Sequence, residues 1–139
     1  MQSKGLVKES LTDFDKALQI LPKSIETLIN RGVAKQTLQD YQGAIADYTK
    51  AIEIYPKNAV VYLNRGTAQE NINVDSAIAD YSRAIELDPK QSQAFVRRAL
   101  IYLKLKKKRE ALQDFDKAFL LEPSLKTNYK DFYADAKNP

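Results

Sequence analysis

Asp13 with Asp15 and Asp114 with Asp116 are carboxylates two residues apart, a type that can share acid and base work or hold a cation. On a helix, residues two apart point roughly 200° away from one another, so neither pair converges on one atom. A second cluster is basic: Lys104, Lys106, Lys107, Lys108 and Arg109, with Arg97 and Arg98 upstream, form the sharpest charge asymmetry in the chain. Such a cluster suits phosphates, anionic lipid or an acidic partner. It falls at a turn, where solubilising a loop is the plainer role, and no glycine-flanked aromatic motif accompanies it, which disfavours nucleic acid. The eight tyrosines mostly occupy positions that pack against small residues, which favours a core role over stacking on a ligand.

The absences exclude more chemistry than the clusters suggest. With no Cys and no His there is no thiolate nucleophile, disulfide, imidazole base or ordinary zinc site. Gly5, Gly32, Gly43 and Gly66 are too scattered to form a dinucleotide fingerprint or a phosphate-cradling loop. We expect no catalysis, no metal, no cofactor and no small-molecule substrate. The 139 residues make a single domain or a short array, with a soluble balance of 44% hydrophobic and 29% charged residues. A net charge of +4 does not by itself argue for nucleic acid. Apolar runs such as Ala59 to Leu63 fall far short of the roughly 20 residues that span a bilayer. Met1-Gln2-Ser3-Lys4-Gly5 leads into charged residues, so no export signal is read and cytoplasmic residence is the default expectation.

The elements that must carry any site are set by a repeat. Pro22, Pro56, Pro89 and Pro123 are spaced by 34, 33 and 34 residues. Each proline closes a segment of one form: Asp13-Phe14-Asp15-Lys16-Ala17-Leu18, Asp47-Tyr48-Thr49-Lys50-Ala51-Ile52, Asp80-Tyr81-Ser82-Arg83-Ala84-Ile85 and Asp114-Phe115-Asp116-Lys117-Ala118-Phe119. Seven residues before each alanine stands another small residue, Ser10, Ala44, Ala77 or Ala111, so small, aromatic and small share one helical stripe. Three segments precede these: Leu28-Ile29-Asn30-Arg31-Gly32, Tyr62-Leu63-Asn64-Arg65-Gly66 and Phe95-Val96-Arg97-Arg98-Ala99. A small residue four after a large one lets a neighbouring helix approach closely, so each unit reads as two antiparallel helices.

On these residues the chain resembles the tetratricopeptide repeat family over nearly its whole length. That family has a large residue at position 4, Gly or Ala at 8, Ala at 20, an aromatic at 24, Ala at 27 and Pro at 32 of its unit. The resemblance implies an all-α, right-handed solenoid of helix-turn-helix repeats with about eight helices. A lone second helix spans residues 4–22, full repeats span 25–56, 59–89 and 92–123, and a closing helix spans 125–136 with Phe132 and Tyr133 turned inward. The 33-residue spacing reflects one deletion in the turn near Asn73. Position 7, usually apolar in the family, is Arg31, Arg65 and Arg98, while position 23 is always Asp; we expect each arginine to bridge to such an aspartate.

The resemblance implies a protein-interaction module whose first helices line a concave groove, and which holds a peptide of a partner there as adaptor, scaffold or co-chaperone. Its groove positions give Asn30, Val33, Asn64, Thr67, Arg97, Leu100 and Lys104 as candidate contacts. Asn30 and Asn64 are first choices, because an amide donates and accepts at once along the backbone of an extended or helical peptide. Arg97, with Asn64 and Lys104, suits an acidic segment or a free carboxylate. Members that clamp chaperone C-termini use five groove residues; Asn64 and Arg97 match two, but Ile29, Val33 and Gln93 replace a Lys, an Asn and a Lys. Two alternatives stand beside the groove. Lys106, Lys107, Lys108 and Arg109 form a basic patch for an anionic surface, and the unpaired first helix would let copies stack end to end or belong to a longer solenoid from which the chain is cut.

Overall fold

The computed structural model describes residues 4–139; Met1, Gln2 and Ser3, the start of the segment read above for an export signal, lie outside the described residues. Among the described residues the secondary structure is helical: α1 (Lys4–Ile20), α2 (Ile25–Thr37), α3 (Tyr41–Ile54), α4 (Ala59–Gln69), α5 (Val74–Leu87), α6 (Ser92–Lys104), α7 (Lys108–Leu121), α8 (Leu125–Asn128) and α9 (Lys130–Lys137). None of these helices is long and apolar enough to cross a membrane.

Local chemistry sets the helix ends. Ser24, Asp40, Asn58 and Asn73 cap α2 to α5, each accepting a backbone N–H with its side chain. The residue before each of three prolines is extended, Tyr55 at φ −141°, Asp88 at −143° and Glu122 at −142°, because the pyrrolidine ring disfavours helical geometry there. The turns inside the first and third full repeats each hold one left-handed residue, Gln39 at φ 65° and Lys106 at φ 62°. The second repeat is one residue shorter at this turn, and the described residues show no left-handed backbone there.

Packing repeats along the chain. α2 pairs with α3, α4 with α5 and α6 with α7, and α1, α3 and α5 each pack on the next pair's first helix. Tyr48, Tyr81 and Phe115 are fully buried beneath these pairs. A Cβ on Gly32 would stand 2.6 Å from Tyr48 Cε1, and one on Gly66 would stand 2.6 Å from Tyr81 Cε1, so the aromatic occupies the space that glycine vacates. In the third repeat Ala99 and Phe115 share one core cluster, and the ring carries no hydroxyl.

The closing element differs from the single helix expected over 125–136. It breaks at Tyr129 (φ −117°, ψ 23°), giving nine helical segments among the described residues. The Tyr129 N–H still donates to Leu125 O at 3.0 Å and the Tyr133 N–H to Tyr129 O at 2.9 Å, so the break kinks one helical arm without opening a loop. Tyr133 packs edge-on against Phe115 and Phe119, with ring centroids 6.2 and 5.2 Å apart. Phe132, by contrast, is exposed and does not turn inward: it stands one residue before Tyr133 on the same turn, so the two side chains point about 100° apart. Among the described residues its ring meets only that of Tyr129, 6.2 Å away.

Candidate peptide-binding groove

The groove is held in register by three arginine bridges. Arg31 donates from Nε and Nη2 to the Asp47 carboxylate at 2.9 and 2.7 Å, and Arg65 repeats this on Asp80 at the same distances. Arg98 donates to Asp114 with both bonds at 2.7 Å. The aspartates are buried, so the bidentate guanidinium is what makes their burial tolerable. The third donor of each arginine reaches back to the preceding second helix, from Nη1 to Asp15 at 2.9 Å, Thr49 at 3.2 Å and Ser82 at 2.9 Å. One side chain thus ties the two helices of its own repeat to the repeat before. The bond to Asp47 holds the Arg31 guanidinium charged above its ordinary range, and the bonds to Asp80 and Asp114 do the same for Arg65 and Arg98.

On the other face of the first helices lies an open cleft of about 420 Å³. It is lined by Val33, Gln36 and Thr37 of α2, Leu63, Asn64 and Thr67 of α4, and Gln93 and Arg97 of α6, with the ring of Tyr48 below. Of the residues selected from the sequence, Val33, Asn64, Thr67 and Arg97 are brought together here. The floor is itself ordered. The Tyr48 hydroxyl donates to Gln36 Oε1 at 3.0 Å, Gln36 Nε2 donates to Thr67 Oγ1 at 2.7 Å, and Thr67 Oγ1 donates to Asn64 O at 2.7 Å. In the next repeat the Tyr81 hydroxyl donates to Glu70 Oε1, and Arg97 Nη1 stands 3.8 Å from that same oxygen. Burial raises the hydroxyl pKa of both tyrosines above the ordinary tyrosine range, and the bond to Glu70 raises that of Tyr81 further.

Gln36 and Glu70 therefore position the site, a role that the sequence reading did not assign. The signal was present as a covariation: position 12 is Gln or Glu where position 24 is Tyr, and Leu103 where position 24 is Phe115.

The remaining selected residues lie elsewhere. Asn30 faces an adjoining cleft of about 200 Å³ between α1 and α2, with Val7, Ser10 and Phe14, which shares Val33 and Thr37 with the first. Leu100 is partly buried against the C-terminal core. Lys104 lines a smaller cleft of about 180 Å³ with Glu70, Asn71 and Val74. Lys106, Lys107 and Arg109 are exposed at the turn between α6 and α7, while Lys108 Nζ donates to Asn138 O at 2.7 Å. No group of three or more acidic residues among those described is placed to hold a metal ion.

A helix-pair array with this cleft is the architecture of the tetratricopeptide repeat, and family models of that repeat match residues 25–58 and 80–113. The chain belongs to the tetratricopeptide repeat proteins. Among solved structures, MamA is similar with a TM-score of 0.81 and 23% identity over 96% of this chain and 84% of that one, a likeness of fold alone. The Arabidopsis OM64 TPR domain is similar with a TM-score of 0.77 and 29% identity, covering 84% of this chain and 97% of that one. The first TPR of Spaghetti (RPAP3), bound to the HSP90 peptide SRMEEVD, has a TM-score of 0.74 and 28% identity, covering 81% of this chain and 91% of that one. No curated protein matches the chain.

Proposed function

We propose that this protein is a non-catalytic interaction module that holds an extended peptide segment of another protein in the groove between α2, α4 and α6. The observation that carries this reading is the 420 Å³ cleft, where three successive first helices contribute apolar, amide and cationic groups to one surface. Asn64 and Gln93 offer paired donors and acceptors to a peptide backbone, Val33 and Leu63 receive alternate side chains, and Arg97 receives a carboxylate. That a similar domain holds an HSP90 peptide supports a peptide ligand. Ile29, Val33 and Gln93, standing where the chaperone clamp has charged and amide groups, favour a ligand anchored by apolar and amide contacts with a single anionic group. Glu70 is the internal competitor for Arg97, and at 3.8 Å the pair is loose enough for a ligand carboxylate to replace it.

Affinity capture from a lysate, with the parent protein and an Asn64→Ala/Arg97→Ala variant compared by mass spectrometry, tests this directly. The variant should lose a small set of proteins that the parent retains, and the set should persist at raised salt. If parent and variant retain the same set, or only material that high salt removes, the exposed basic turn at Lys106, Lys107 and Arg109 becomes the better reading.

A further inference from the structure

Helix α1 occupies the second-helix place of a repeat; Val7 is buried on it, but Phe14, Ala17 and Ile20 are more open than their counterparts. Tyr48, Tyr81 and Phe115 are fully buried, yet the equivalent Phe14 is only half-buried. Ala51, Ala84 and Ala118 are fully buried, whereas Ala17 is not. Ile54 and Leu87 are partly buried against core clusters and Leu121 is 37% exposed, while Ile20 in the same place is 78% exposed. The charge pattern is broken at the same point. Asp47, Asp80 and Asp114 each take a bidentate arginine, but Asp13 is exposed and makes no ion pair among the described residues. In the closed repeats the repeat's own first helix supplies the bridging arginine and the small residue beside the aromatic, in the order of a large residue, an arginine three later and a small residue directly after it.

We propose that this face of α1 is a docking seat for a helix of a partner protein that carries that pattern: a large apolar residue, an arginine three positions on, and glycine or alanine next. The arginine meets Asp13, the small residue lies over Phe14, and the helix runs beside α2 above the cleft formed by Ser10, Phe14 and Asn30. Charge complementarity selects this occupant over a second copy. The chain's own helices of this pattern, at 28–32, 62–66 and 95–99, are already engaged, and its closing arm offers Phe132 and Tyr133 where arginine and a small residue are required. Phe14 lacks a hydroxyl, as Phe115 does, so the partner residue four after the small one is apolar, as Leu103 is. The seat adjoins the groove between α2, α4 and α6, sharing Val33 and Thr37 with it, whereas Asn64 and Arg97 line the groove and not the cleft beside α1.

The probe is a side-chain-stapled peptide copying Ser92–Lys104, which bears Phe95, Arg98, Ala99 and Leu103 in the required places. Calorimetric titration into the full chain should give one-to-one binding. Asp13→Ala should weaken it at least about tenfold, replacing the probe's arginine at the place of Arg98 by alanine should do the same, and the two changes together should cost little more than either. Asn64→Ala/Arg97→Ala should leave this binding unchanged, which separates the seat from the groove. Absence of binding, binding indifferent to Asp13→Ala, or binding lost with the groove variant overturns the proposal. So does a concentration-dependent dimer in sedimentation that the peptide fails to dissociate, since a second copy would then be the occupant.

Discussion

Replacing Arg65 by methionine keeps most of the aliphatic stem while removing the guanidinium that bonds Asp80 at 2.9 and 2.7 Å and Thr49 at 3.2 Å. Asp80 is 5% exposed, so its carboxylate would be left buried with two bonds lost. Breaking a buried pair in this way costs about 3–5 kcal/mol. Arg65 retains 20% of its side-chain exposure, so water reaches that end of the pair and places the expected loss near the lower limit, about 3 kcal/mol. Loss of the guanidinium over the Tyr62 ring, 5.6 Å from its centroid, adds less than about 1 kcal/mol. With a urea slope of about 2 kcal/mol/M, the unfolding midpoint followed by circular dichroism should fall by about 1.5 M. Because Arg65 links α3, α4 and α5, amide exchange should quicken in those three helices before α7. The decisive arm is Arg65→Met with Asp80→Leu, which leaves no unpaired charge and should recover at least half of the loss. A loss below about 1 kcal/mol for Arg65→Met, or a double variant no better than the single, would refute the view that the bridges hold the repeats in register.

Three further outcomes follow from the packing and the backbone. Gly66→Ala should destabilise despite a gain in helix propensity of about 1 kcal/mol, because its Cβ meets Tyr81 Cε1 at 2.6 Å and overpacking costs about 1–3 kcal/mol. Tyr81→Phe frees the ring from Glu70 and should restore part of the thermal midpoint, as Ala99 is accommodated beside Phe115 in the third repeat. Tyr48 and Tyr81 have hydroxyl pKa values raised by burial in the folded protein, so unfolded chains lose these protons near pH 10 while folded ones keep them; stability present below pH 10 should therefore decline as pH rises above it. Absorbance at the tyrosinate band should show these two of the eight tyrosines ionising only on unfolding, and Tyr48→Phe/Tyr81→Phe should flatten the alkaline decline. Lys106→Gly relieves a left-handed backbone at φ 62° and should raise stability by about 0.5–1 kcal/mol in urea titration, whereas Lys107→Gly, at φ −90°, should not.

The periodic features are those that local sequence carries. Prolines 34, 33 and 34 residues apart, a large residue four before a small one, and aromatics between alanines state the helix pairs and the face each buries, because they recur at helical spacing in every unit. The Arg–Asp bridges were legible for the same reason: a cation repeated in a packed seam requires an anion repeated opposite it. Asn30 and Asn64 occupy equivalent places in their repeats, and no local signal separates them. Asn64 lines the groove because the first helix α2 stands before it, whereas Asn30 faces α1, a second helix, and opens onto the adjoining cleft. The kink at Tyr129 likewise has no glycine or proline to announce it. Repetition specifies what each unit brings to its neighbours, since every unit makes the same contacts; what happens at an end depends on which neighbour is there, and only the assembled stack contains that information.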